Sequence, residues 1–209
     1  MTHAQLRDRL GDWMAINAKR VAPSVRTDIL NLVQRELCRK YDLRYNEFLD
    51  SFDITTGANA YTLPAAWSRP YEFWYVDPDT RGVVFMKFLL LDEFDNLYPD
   101  PTAKARPKHY TIWNDQLYLG PTPDLSVTVN RTYYGYVPDL SADGDHNGFT
   151  DQAWDLMLFK GLGEMARYGI EDERVPVWQA KAAELEGDLV REHARSKSMG
   201  RRSVGTEPG

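Results

Sequence analysis

The sequence predicts an α+β protein: a helical bundle of two N-terminal and two C-terminal helices, with an inserted antiparallel β domain and a flexible basic C-terminal tail. Three observations carry this reading. Apolar residues recur at helical spacing before residue 45 and again between 149 and 190, as a buried helix face requires. Between those blocks the pattern changes to short aromatic runs of period two, separated by Gly, Pro, Asn and Asp, the signature of strands and turns. Beyond residue 190 the chain is basic, rich in small residues and without an apolar stripe; alone, such a segment is expected to be disordered. The expected organisation is an N-terminal helical hairpin over 1–45, the β insertion over 46–148, the C-terminal helices over 149–190, and a docking tail over 191–209.

The first helix is expected over 2–19, where Leu6, Leu10 and Trp13 form a stripe with Met14 and Ile16 beside it. Ala22-Pro23-Ser24 interrupts it, and Ser24 is placed to cap a second helix, since a serine side chain can accept from the first free backbone N–H groups. Ile29, Leu30, Val33, Leu37 and Tyr41 form that helix's apolar face. The short link makes an antiparallel pair.

After Asn46, Phe48, Phe52 and Ile54 lead into the turn TTGAN, then a short strand at Tyr61-Thr62-Leu63. PYEFWYV and VVFMKF are read as strands around the turn DPDTRG, because aromatic and β-branched side chains fit a pleated surface. A short helix within 88–98 should turn Leu91, Phe94 and Leu97 inward before Pro99 and Pro101 stop it, and TAKAR over 102–106 reads as an exposed loop.

The stretch over 107–140 reads as a hairpin, His109 to Trp113 and Gln116 to Leu119 about the polar pair Asn114-Asp115, then the link GPTPD and one long strand. Two-residue polar turns favour such hairpins. In the long strand Val127, Val129, Arg131, Tyr133 and Val137 share one face, while Thr128, Asn130, Thr132, Tyr134 and Tyr136 share the other. The whole gives six or seven strands.

Helical spacing returns after Gly148, with Thr150 as the expected cap and Trp154, Met157, Leu158, Gly161, Leu162 and Met165 along one face. Glycines inside a helix are unfavourable, so Gly161 and Gly163 point to a close approach by another helix. Gly169 should end this helix, and Val175, Trp178, Ala182, Leu185 and Leu189 form a heptad-like seam on the last one.

At 209 residues, with 43% apolar and 27% charged residues, the chain can bury a substantial core as one domain or one domain with an insertion. No apolar run approaches the roughly 18 residues that span a membrane, and the charged start MTHAQLRDRLGDW argues against a secretory signal. The single cysteine, Cys38, can form no intrachain disulfide and reads as a reduced core or groove thiol. The net charge of −6 is unevenly spread, with +4 over 1–45, −8 over 46–150, −5 over 151–190 and +3 over 191–209. An acidic body does not attract a nucleic-acid backbone.

Most catalytic and ligand-binding classes find no support. The loop DGDHNG over 143–148 matches the first six positions of a calcium-binding loop, but position 12, which needs a bidentate glutamate, is Trp154. His3, His109, His146 and His193 fall in four different elements without zinc spacing. No nucleophile elbow, P-loop or dinucleotide fingerprint occurs. A carboxylate pair such as Glu93 with Asp95 is open to a glycosidase reading, but in so acidic a chain no pair stands out. The expectation is no enzyme, no cofactor and no metal. Trp67, Tyr71, Trp74 and Trp113 are candidate subunit-interface residues within the aromatic-rich insertion; sheet core is the competing explanation, as it is for Phe73 and Tyr75.

Taken together, NAYTLPAAW, RPKHYTIWNDQLYLGPTPD, VTVNRTYYGYVPDLS, DQAWDLMLFKGLGEMARY and DERVPVWQAKAAELEGDL, in this order and spacing, resemble the head-to-tail adaptor (connector) proteins of tailed bacteriophages. That family includes the tail tubular A-type adaptors of short-tailed phages, and the resemblance covers residues from about 25 to 190. It implies a structural virion protein at the head–tail junction, made in the host cytoplasm. Such a protein forms a ring, a dodecamer, under the portal and contacts a downstream tail or nozzle protein. DNA passes through its channel without sequence-specific binding, and no membrane is involved. The basic residues Arg191, Arg195, Lys197, Arg201 and Arg202 are the candidate portal-docking tail, suited to an acidic groove. The alternative is a glycan- or peptidoglycan-active accessory protein of the virion, using acidic residues and exposed aromatics of the insertion.

Overall fold

The computed structural model describes residues 1–14, 21–165 and 172–202, with side chains as far as 195. Ile16 and Gly169, assigned above to the first helix stripe and to the end of a helix, lie outside the described residues, as do 203–209. The chain forms two compact units, Met1–Asn46 with Tyr136–Gly209, and Glu47–Gly135. Both are regular, and the fold is α+β.

In the first unit, α1 (His3–Met14) buries Leu6, Leu10 and Met14. Trp13 is 43% exposed instead, with its ring edge-on to Phe159 at 5.4 Å. The helix α2 (Pro23–Lys40) starts without a side-chain cap, with Ala22 at the N-cap and Pro23 in the first turn. Ser24 is therefore inside the helix rather than capping it. Proline at that position has no N–H to satisfy and a φ already suited to the helix. Ile29, Leu30, Val33, Leu37 and Cys38 are fully buried along α2, and burial pushes the Cys38 thiol up.

The second unit begins directly after a short 3₁₀ turn, Arg44–Asn46, with β1 (Glu47–Ile54), β2 (Ala60–Thr62), β3 (Trp67–Val76) and β4 (Val83–Phe88). Then come α3 (Leu91–Leu97), β5 (Lys104–Ala105), β6 (His109–Trp113), β7 (Gln116–Gly120), β8 (Thr122–Pro123) and β9 (Val127–Gly135). Seven strands form one sheet in the order β1-β9-β3-β4-β6-β7-β2, and β5 pairs with β8 separately.

The sheet is mixed rather than purely antiparallel, because β4 and β6 run parallel, Lys87 opposite His109. A parallel pair needs a crossover connection rather than a tight turn, and α3 lies within this one. The sheet curls until Phe52 on β1 meets Tyr61 on β2, with ring centroids 5.4 Å apart. Inside the curl Ile54, Phe73, Tyr75, Met86, Tyr110, Leu117, Leu119, Leu125 and Val129 form one cluster. Each such fully buried side chain contributes about 1.5–3 kcal/mol. Burial pushes the Tyr110 phenol up to about 12.

The hairpin turn is as expected. Asn114 and Asp115 have φ of 47° and 57°, both in the left-handed region that the favoured hairpin turn demands. The long strand alternates as read as far as Tyr133, with Val129, Arg131 and Tyr133 buried and Thr128 exposed, but Tyr134, read on the other face, is buried too, and the strand ends at Gly135, before Tyr136 and Val137. The loop expected over 102–106 contains β5, and its Arg106 is the hub of an ion cluster, with Nε donating to Asp77 at 2.9 Å, Nη1 to Asp124 at 2.7 Å, and Nη2 to Asp79. In α3 only Phe94 is buried, while Leu97 is 51% exposed. Phe94 is on the face that meets the sheet, and Leu97 is turned to solvent.

The chain returns to the helical unit at Tyr136, earlier than the expected boundary at 148. Polar side chains of α2 hold it there. Asn31 accepts from Leu140 N at 2.8 Å and donates to Leu140 O at 3.0 Å, and Gln34 donates to Pro138 O at 3.0 Å. Two helices follow where one was expected, α4 (Gly148–Gln152) and α5 (Trp154–Met165). Asn147, not Thr150, is the N-cap. Its side chain accepts from Phe149 N and Thr150 N, and Thr150 Oγ1 accepts from Asn147 N in return, so two otherwise free N–H groups are satisfied reciprocally.

The mid-helix glycines of α5 mark close approaches. A Cβ on Gly161 would stand 3.1 Å from Leu10 of α1, and one on Gly163 would stand 3.2 Å from Gln179 of the last helix. The last helix, α6 (Val175–Arg202), runs well past residue 190. The expected flexible tail is thus helical as far as Arg202. Residues 191–202 are mostly good helix formers without proline, and His193, four residues after Leu189, continues the buried stripe at 8% exposure.

Candidate functional site

Among the described residues no group of three His, Cys, Asp or Glu side chains is placed to hold a metal ion. The loop at 143–148 uses its oxygens internally. Asp145 Oδ2 accepts from Ser141 N and Ala142 N, each at 2.8 Å, and these bonds hold its carboxyl below the usual range. Asp143 Oδ1 accepts from Arg7 Nη1 at 2.8 Å, and Asn147 is spent on the helix cap. His146 bonds Asp151 at 3.0 Å. The four histidines remain in separate environments: His3 contacts Ala142 O and Thr27, His109 contacts Tyr98, and His193 packs edge-on to Tyr45 at 4.9 Å. Glu93 and Asp95 lie two residues apart on α3, and side chains at that spacing do not face each other. They form no converging pair.

The surfaces that remain are suited to contact with other molecules. On the outward side of the β3–β4 pair, Trp74 lies opposite Phe85 and Val76 opposite Val83. Val76, Val83 and Phe85 are 44%, 53% and 56% exposed. Continuous exposed apolar area of this kind marks interaction sites. The sequence reading named Trp74 here but missed its three neighbours, which looked like ordinary strand residues. The signal that could have found them is in β4, where Val83 and Phe85 alternate with the core-facing Val84 and Met86.

The other three candidate interface residues do not join Trp74 in one cluster. Trp67 belongs to the sheet interior: it is half-buried, stacked on Tyr133 at 5.1 Å and tilted against Phe73 at 5.9 Å. Tyr71 is 57% exposed and leans on Tyr134 at 5.6 Å. Trp113 is 57% exposed beside the turn of the β6–β7 hairpin.

The basic residues at the chain end are arrayed on a helix. Arg191 donates to Asp188 one turn earlier. Arg195 is exposed on the same helix, and Lys197, Arg201 and Arg202 are in its last turns, their side chains outside the described residues.

Where α6 packs on its neighbours the helical unit carries a buried ion network that sequence reading missed. Glu186, 8% exposed, accepts from Lys40 Nζ and Tyr41 Oη, each at 2.5 Å, and from Lys160 Nζ at 2.9 Å. Lys160 also donates to Glu36 at 2.9 Å. Burial alone would raise the Glu186 carboxyl; the three donors outweigh it and hold it at about 2. No motif marks this network, because its members are far apart in sequence.

A family model described as SU10 adaptor protein matches residues 1–205. No curated protein matches the chain.

Proposed function

The chain belongs to the SU10 adaptor family of phage head–tail adaptors, and we propose that it forms a ring, a dodecamer, beneath the portal, joins the capsid to the tail and lines part of the DNA channel. It is a phage structural protein, and the observation that carries the finer reading is that the family match spans both units and the basic end of α6. In this reading the helices act together as the bundle that meets the portal. Arg191, Arg195, Lys197, Arg201 and Arg202 supply a charged contact for an acidic groove. Net charge is the second support. At −6 per chain, a ring would repel the DNA backbone rather than bind it, and passage needs sliding without adhesion.

The outward apolar patch of Trp74, Val76, Val83 and Phe85 is the surface best suited to a neighbouring copy or a downstream tail or nozzle protein. The role is non-catalytic and needs no cofactor. Co-sedimentation of the purified protein with its cognate portal tests the reading: a salt-sensitive complex is expected, and failure to co-sediment at any ionic strength counts against it.

A further inference from the structure

The β unit contains a cleft of about 700 Å³ between α3 and the β6–β7 hairpin. Leu91 and Phe94 form part of its wall, and Tyr98, Trp113 and Tyr118 supply aromatic surface. Asp95 and Asp100 are the only charged residues on its lining. From this combination we infer that the cleft is a docking site for an arginine side chain presented by a peptide segment of another protein. The inference goes beyond the adaptor role and does not depend on a ring or on portal binding.

Its walls are built rather than incidental. Tyr98 Oη and His109 Nδ1 share a hydrogen bond of 2.6 Å, which fixes the end of α3 to β6. Gly120 lets α3 settle on the sheet, since a Cβ there would run into the rings of Tyr98 and Phe94. Asp100 Oδ1 accepts from Thr102 N at 2.9 Å and Thr102 Oγ1 at 2.6 Å. Those bonds fix the carboxylate's orientation and keep it ionised.

The chemistry of the lining selects the ligand. Aromatic faces attract a cation, and carboxylates accept the paired N–H groups of a guanidinium. A guanidinium is planar and weakly hydrated, so it stacks on rings and sheds water more readily than a lysine ammonium. Anionic ligands meet only like charge. The occupant comes from outside the chain, because its own basic stretch is wound into α6 as far as Arg202.

The test titrates the full chain with a ten-residue Gly/Ser peptide carrying three arginines, reading the Trp113 indole N–H resonance. The control is the same peptide with citrulline, which keeps the shape and loses the charge. Saturable shifts from the arginine peptide are expected, at an affinity at least roughly tenfold above that of the citrulline peptide. Asp95→Asn, at an exposed helix position and read by the same resonance, and Trp113→Ala, read by isothermal titration calorimetry because the reporter ring is gone, should each weaken binding several-fold with unchanged circular dichroism. Asp53→Asn on β1 should leave it unchanged. Equal affinity for both peptides, or equal weakening by Asp53→Asn and Asp95→Asn, would overturn the inference. So would tighter binding of a peptide spanning residues 191–202, which would assign the cleft to a second copy of the chain.

Discussion

Lys160 on α5 donates to Glu186 on α6 at 2.9 Å, with the two side chains only 12% and 11% exposed. Both charges are almost excluded from water where α5 meets α6. Removing Glu186 leaves the buried Lys160 ammonium with Glu36 at 2.9 Å, so its burial is compensated only in part. Glu186→Ala should therefore destabilise the helical unit by roughly 2 kcal/mol, below the cost of a fully orphaned buried charge, read from urea unfolding. The pH dependence has a definite sign. The Glu186 carboxyl is depressed to about 2 from an ordinary value of 4.5, so its contribution is complete above 4.5 and is lost as pH falls toward 2. The Glu186→Ala variant should show a shallower acid transition than the parent.

Gly135, at the end of β9, sits against backbone. A Cβ there would overlap the carbonyl oxygen of Ala66 and stand 3.1 Å from the Phe48 ring. A backbone neighbour cannot swing aside, so Gly135→Ala should destabilise the β unit by roughly 2 kcal/mol. Gly144, with nothing within 4 Å of the same added atom, is the control, and its alanine variant should unfold within about 0.5 kcal/mol of the parent. Paired thermal melts decide this.

His109 is held below its ordinary value, first by burial and then by Lys87 and Lys108. A histidine depressed in the fold resists protonation there and accepts it when unfolded, so stability is complete above about 6.5 and falls as pH drops below it. Because its Nδ1 bonds Tyr98, the loss should appear locally. Amide exchange in α3 should accelerate between pH 7 and pH 5, after correction for intrinsic rates, more than exchange in β9.

Charge reversal on α6 separates docking from folding. Arg195→Glu, Lys197→Glu and Arg201→Glu together should keep the helix and weaken portal binding by at least roughly tenfold. Truncation after residue 190 is the poorer test, because it also removes His193, which is buried against Tyr45.

What the sequence disclosed follows from the range of the interactions concerned. The Asn114-Asp115 turn, the alternation of β9 as far as Tyr133 and the close approaches at Gly161 and Gly163 are written in neighbouring residues, and all were legible. The parallel pairing of β4 with β6 and the curl that brings Phe52 to Tyr61 depend on partners distant in sequence, which no local period encodes. The hold of Asn31 and Gln34 on the segment after Gly135 was hidden for a related reason: polar residues inside a helix normally read as its wet face. The same habit concealed the continuation of α6, where a buried histidine takes a place that an apolar residue would have announced. For the candidate surfaces, residue type proved a poor guide to exposure. Trp67 and Tyr71 look alike in sequence, yet one packs on Tyr133 inside the sheet and the other is open. The ion network around Glu186 joins α2, α5 and α6 through residues up to 146 positions apart, beyond any motif.

The central claim is that this chain assembles as a ring on a portal. Electron microscopy of the purified protein mixed with cognate portal tests it most directly. The account predicts an additional axial ring stacked on one end of the portal, with twelve-fold symmetry. Portal particles that remain bare, with the protein scattered as separate monomers, would contradict it.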